Sequence, residues 1–159
     1  MKTADTKESG GNTVNVFFER KIRLPYDVKD CVEDLLDAEG KKGCSLNLVF
    51  TGDSEVRKLN AEFRGKNKAT DVLTFEEDGK GGEVYISVDT AEKNADGYGA
   101  SLADEIARLV VHGTLHSLGY DHMEKEEEKI MKTRTALYMK LFESNRKGAR
   151  VARGRKWNP

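Results

Sequence analysis

The sequence predicts an α+β domain: a small mixed four-stranded sheet, three strands parallel and one antiparallel, packed with about five helices. Two observations carry this. Apolar spacing switches between period two and the helical period in the order β-α-β-α-β-β, followed by helices. Alternating strands and helices favour parallel pairing, and a late pair of strands joined by a glycine-rich loop adds one antiparallel neighbour. The length of 159 residues suits one domain with a sizeable core.

Each element has its own signal. Residues 13–20 place Val14, Val16 and Phe18 on one side of a strand. Residues 26–39 put Val28, Val32, Leu35 and Leu36 at helical spacing, and Gly40 supplies the stop. Residues 44–50 alternate Cys44, Leu46, Leu48 and Phe50 against Ser45, Asn47 and Val49. Asp53 reads as the N-cap of a short helix with Val56, Leu59 and Phe63 on one face. Residues 71–76 and 83–88 read as strands joined by the hairpin loop DGKGG. Ser101, with Asp104 three residues on, opens a helix to about Leu118. A final helix spans about 123–143, with Ile130, Leu137 and Leu141 beside Met131, Tyr138 and Phe142.

Composition narrows the function classes. The formal net charge is −1 with 35% charged residues, and the mean hydropathy is −0.67. A membrane protein is excluded, since no run approaches the ~18 apolar residues of a span. A global basic charge is also absent, so nucleic-acid binding must rest on local patches. Residues 1–12 form a polar leader without an apolar secretory segment and are expected to be disordered. Cys31 and Cys44 have no metal or redox spacing and read as reduced thiols of a cytoplasmic protein.

All three histidines fall in one block, HGTLHSLGYDH, as His112, His116 and His122. Random placement yields this fixed spacing in roughly one of four thousand arrangements. His112 and His116 are four apart, so on a helix they share a face. Gly119 can end the helix and turn the chain, returning His122 toward that face. Three imidazoles without a fourth protein ligand are the donor set of a catalytic zinc site rather than a closed structural one. A lone HxxxH pair would instead read as two hydrogen-bonded helix histidines; the glycine and third histidine in register favour the metal. The spacing resembles the metzincin zinc-protease motif, but Gly113 stands where those proteases carry a glutamate base. Asp121 with Glu124 has capping-box spacing and is expected to cap the final helix.

A second cluster is basic. Residues 57–68 carry Arg57, Lys58, Arg64, Lys66 and Lys68 against Glu62 alone. By itself this reads as a solvated helix end. Beside a hydrolytic metal it reads as a phosphate grip, since the forked guanidinium matches phosphate oxygens and Lys adds point charge.

The segments LNAEFRGKNKATDVLTF, GEVYIS and HGTLHSLGYDH together resemble the signature blocks of the YbeY family, bacterial endoribonucleases of ribosomal RNA maturation. The resemblance covers about residues 46–131. It implies an α+β fold with a metzincin-like metal site and metal-dependent cleavage of single-stranded RNA. It implies a place in 16S rRNA 3′-end maturation and ribosome quality control, with the small ribosomal subunit as partner and no DNA or membrane. His112, His116 and His122 match the zinc ligands, one ion per chain, and Arg64 matches the arginine required for activity. The family usually reads RGKDKPTDVLSFP; here Asn67, Ala69 and Glu76 depart from it, and Glu83 stands where Asp is usual.

Residues 13–145 are thus expected to form a single metallohydrolase domain. Residues 146–159 form a basic tail, with six Arg or Lys and no acid in 146–156, expected to be disordered and able to meet rRNA phosphates. The expected activity is a zinc-dependent endoribonuclease in which Arg64, Lys66 and Lys68 hold RNA. The alternative is a non-catalytic, zinc-stabilised rRNA-binding assembly factor. A residual metalloprotease is disfavoured by Gly113.

Overall fold

The structure is a computed structural model that describes residues 11–121 and 123–146. Strands β1 (Thr13–Phe18), β2 (Ser45–Thr51), β3 (Val72–Glu76) and β4 (Gly81–Ser87) form one sheet in the order β1-β2-β4-β3. β1, β2 and β4 run parallel, and β3 pairs antiparallel with β4. Five helices accompany them: α1 (Val28–Ala38), α2 (Asp53–Arg64), α3 (Val88–Tyr98), α4 (Leu102–Ser117) and α5 (Lys125–Ser144). The mixed sheet with three parallel strands and one antiparallel strand is the one the hydrophobic spacing predicts.

The core lies on one face of the sheet. Val14, Leu46, Leu48, Phe50, Val84 and Ile86 point there and bury against α1 and α4, on which α5 packs in turn. Helix α1 contributes Val28, Cys31, Val32, Leu35 and Leu36 at the predicted spacing. Helix α4 is the central helix, with Ile106, Leu109, Val110 and Leu115 buried. Alternate side chains, among them Val49, Leu73, Phe75 and Tyr85, point to the opposite face, where α2 lies. There Phe63 of α2 meets Phe75 of β3 edge-on, with ring centroids 5.6 Å apart.

Several local features differ from the sequence reading. Helix α3 has no clear apolar period, because it buries only Val88, Ala91 and Ala95. Asp53 is not the cap of α2: Gly52 holds that position, and the Asp53 N–H donates to Asp89 Oδ2 at 2.9 Å. The Asp53 carboxylate instead accepts from the hydroxyls of Ser87 at 2.5 Å and Thr90 at 2.6 Å, which locks α2 to α3. Asp121 does not cap α5; that helix begins at Lys125 with Glu124 as N-cap and no side-chain cap bond. By contrast Ser101 caps α4 as expected, accepting from the Asp104 N–H at 3.1 Å.

The ends of the described chain are held to the fold. Asn12, the last residue of the polar leader, is fully buried, donating to the Lys41 carbonyl and accepting from the Cys44 N–H. Arg146, where the basic tail begins, pairs with Asp104 and lies over the Tyr26 ring, its guanidinium carbon 5.7 Å from the centroid. The rest of the leader and tail lie outside the described residues. Cys31 and Cys44 are both buried free thiols. Among the described residues no helix is long and apolar enough to cross a membrane.

Candidate metal centre and basic loop

The two histidines on α4 come together as the helical period requires. Their ring centroids lie 4.7 Å apart with planes at 69°, and both side chains are partly exposed. Two imidazoles this close, on one helix face and open to solvent, fit a shared divalent cation, and their nitrogen donors suit zinc. Among the described residues no three His, Cys, Asp or Glu side chains form a metal-holding group. His122, the third histidine of the motif, lies outside the described residues.

The turn after α4 forms where glycine allows it. Gly119 has φ +101°, and its N–H donates to the His116 carbonyl at 3.0 Å. The Tyr120 N–H then donates to the Leu115 carbonyl at 3.1 Å, folding the chain back over the last helical turn. Glu76, which departs from the family pattern, brings a carboxylate to this turn. Its Oε2 is 3.8 Å from the point where a Gly119 side chain would begin.

Gly113 has a steric role. A Cβ there would lie 2.5 Å from Val84 Cγ1 and 3.1 Å from Val72 Cγ2. This face of α4 therefore packs directly on β3 and β4. A glutamate base at position 113 is not simply missing; the sheet occupies the space it would need.

The basic loop follows from the end of α2. Gly65, with φ +68°, caps the helix, and its N–H and that of Lys66 return to the Ala61 and Asn60 carbonyls. The Asn60 side chain, 3% exposed, donates to the Lys68 carbonyl at 3.0 Å. That bond bridges the loop where the family's proline is replaced by Ala69. The side chains of Arg64, Lys66 and Lys68 are exposed. Arg64 Nη2 donates to the Thr74 carbonyl at 2.6 Å, and its guanidinium carbon sits 5.3 Å from the Phe75 ring centroid.

β3 is the element both halves of the site share. In its ladder Ser87 N–H donates to the Asp71 carbonyl and Glu77 N–H to the Gly81 carbonyl. Odd-numbered residues therefore face β4, and the Thr74 carbonyl points to the open edge. Arg64 takes that free acceptor from the α2 side, while α4, with His112 and His116 flanking Gly113, packs against the same strand. Asn60, Thr74 and Phe75 fall within the basic signature block, but their part in holding Arg64 and the loop is visible only once α2 and β3 are side by side.

Known proteins resemble this chain. The family model described as Endoribonuclease YbeY matches residues 16–143. An endoribonuclease YbeY of Bacillus licheniformis is 40% identical across 70% of this chain and 84% of its own length. That of Nautilia profundicola is 45% identical across 72% of this chain and 88% of its own. A Thermotoga maritima protein solved in solution superposes with a TM-score of 0.68 at 27% identity, covering 92% of this chain and 98% of its own. With the family model matching residues 16–143 and relatives at about 40% identity over most of their length, the chain belongs to the endoribonuclease YbeY family.

Proposed function

We propose that this endoribonuclease is zinc-dependent, cuts single-stranded RNA and acts in the cytoplasm on rRNA of the small ribosomal subunit, at the 16S 3′ end. The observation that carries the metal part is the His112–His116 pair, 4.7 Å between centroids on an open helix face. His112, His116 and His122 would hold the ion. When bound, zinc supplies Lewis acidity that lowers the pKa of water and polarises a phosphoryl oxygen.

The chain's own residues do the rest. Arg64 holds and orients the scissile phosphate and offsets the charge that builds on it. Its bond to the Thr74 carbonyl fixes the guanidinium before RNA arrives, so little side-chain freedom is lost on binding. Lys66 and Lys68 add exposed positive charge along the RNA backbone. Gly113 leaves no room for the base of a peptidase, which supports RNA rather than peptide as substrate.

The test is zinc content by mass spectrometry together with cleavage of a single-stranded RNA. Wild type should carry one zinc and cut; His116→Ala should lose both, and Arg64→Ala should keep zinc and lose cleavage. Equal zinc in wild type and His116→Ala would remove the metal site. Undiminished cleavage by zinc-loaded Arg64→Ala would remove the role of Arg64.

A further inference from the structure

The carboxylate of Glu39, at the end of α1, is 3% exposed and gathers three donors from two other parts of the chain. The Tyr120 hydroxyl donates to Oε1 at 2.7 Å. Arg134 Nη1, at 2.7 Å, and the Tyr138 hydroxyl, both from α5, donate to Oε2. Arg134 supplies the opposite charge a buried carboxylate requires. Its guanidinium carbon also lies 5.8 Å from the Tyr120 ring centroid, clamping the ring from outside.

Tyr120 is the residue through which this cluster meets the metal motif. His112 and His116 take their orientation from a helix. In the sequence His122 comes two residues after Tyr120, just past the turn at Gly119 and Tyr120. The backbone of that turn is tied to the end of α4 through the Gly119 and Tyr120 N–H groups. The phenol of Tyr120 ties it a second time, to α1, across 81 residues of sequence.

We infer that Glu39, through the Tyr120 hydroxyl, is a positioning residue for the segment that brings His122 to the metal. This rests on the zinc reading proposed above. The two sides of the carboxylate separate the role from plain stability. Tyr120→Phe removes the Tyr120 hydrogen bond to Oε1 and leaves Arg134 and Tyr138 in place. Tyr138→Phe removes a bond of the same kind on Oε2, made from α5.

The experiment measures zinc affinity of the full chain by competition with a chromogenic chelator, alongside thermal unfolding of the metal-free protein. Outer partners of metal ligands commonly govern affinity by about 10–100-fold. Tyr120→Phe should weaken zinc by at least about tenfold. Tyr138→Phe should lower the unfolding temperature and leave zinc affinity within about twofold of wild type. Equal weakening in Tyr120→Phe and Tyr138→Phe, or wild-type affinity in Tyr120→Phe, overturns the inference alone. Wild-type affinity in His116→Ala overturns the metal site, and the tether with it.

Discussion

Arg64 donates to the Thr74 carbonyl, ten positions on in sequence, at 2.6 Å, and closes the basic segment against the open edge of β3. One arm of the fork is thereby spent on the protein, while the side chain as a whole stays exposed. Arg64→Ala should lower cleavage of single-stranded RNA by about 10²–10³-fold, the usual cost of removing a charge-stabilising donor. The exposed bond itself contributes about 1 kcal/mol or less, so unfolding should barely change. Arg64→Lys should recover little, because an ammonium cannot serve the carbonyl and two phosphate oxygens from one plane. Cleavage rates on zinc-loaded protein, with thermal unfolding as control, check this.

Asn60 sets the shape of the loop that follows. Its buried amide meets the Lys68 carbonyl at 3.0 Å, so Asn60→Ala leaves that acceptor without its partner. The expected cost is about 1–2 kcal/mol of stability. A loosened loop should raise KM for RNA several-fold more than it lowers kcat if Lys66 and Lys68 act in binding as proposed. A fall in kcat at constant KM would place Asn60 closer to the chemistry than the structure does.

The histidine pair was legible in the sequence because its geometry is local: four residues on one helix need no tertiary information. The sheet was legible for the same reason, since β2 and β4 carry their own alternation. Helix α3 was not, because alanines at 91 and 95 bury by close approach and leave no large apolar period. Asp53 and Asp121 both sit at spacings typical of caps, yet Asp53 serves Ser87 and Thr90, residues 34 and 37 positions away. Glu39 reads as an ordinary helix-end acid; its three donors lie 81 to 99 residues further on. Local spacing announces a side chain's own helix face and is silent about partners brought by another element.

Gly113 makes a prediction whose sign is unusual. In most helix interiors Gly→Ala stabilises by about 0.5–1 kcal/mol. Here the new Cβ would fall 2.5 Å from Val84 Cγ1, so Gly113→Ala should destabilise by about 1–3 kcal/mol through overpacking. Val84→Ala alone should also destabilise, by leaving a gap. The double variant should be more stable than the sum of the two, with a coupling of at least about 1 kcal/mol in urea unfolding. Gly113→Glu should fail to create peptidase activity, because Val84 and Val72 fill the space its side chain would enter. Additive losses in the double variant would show that α4 does not rest on β4 at this point.

The lock between α2 and α3 gives the fold an acid limit. Partial burial opposes ionisation of Asp53, but the Ser87 and Thr90 hydroxyls outweigh it, helped by Lys93 and Arg57, and its pKa falls below the ordinary 3.8. The Asp53 N–H and then Arg20 lower Asp89 in the same direction. A carboxylate depressed in the folded state binds fewer protons there than in the unfolded chain at mildly acid pH. Its stabilisation is therefore complete above about pH 5 and drains as pH falls below about 4 through the folded value. Unfolding free energy measured in urea should be flat with respect to these groups from pH 7 to 5 and drop below about 4. Asp53→Asn should lose about 1–2 kcal/mol at pH 7 and show a shallower acid fall, because the titrating group is gone. As α2 ends in Arg64, the same variant should also weaken RNA cleavage without loss of zinc. An acid limb as steep as that of wild type would place the sensitivity in other carboxylates.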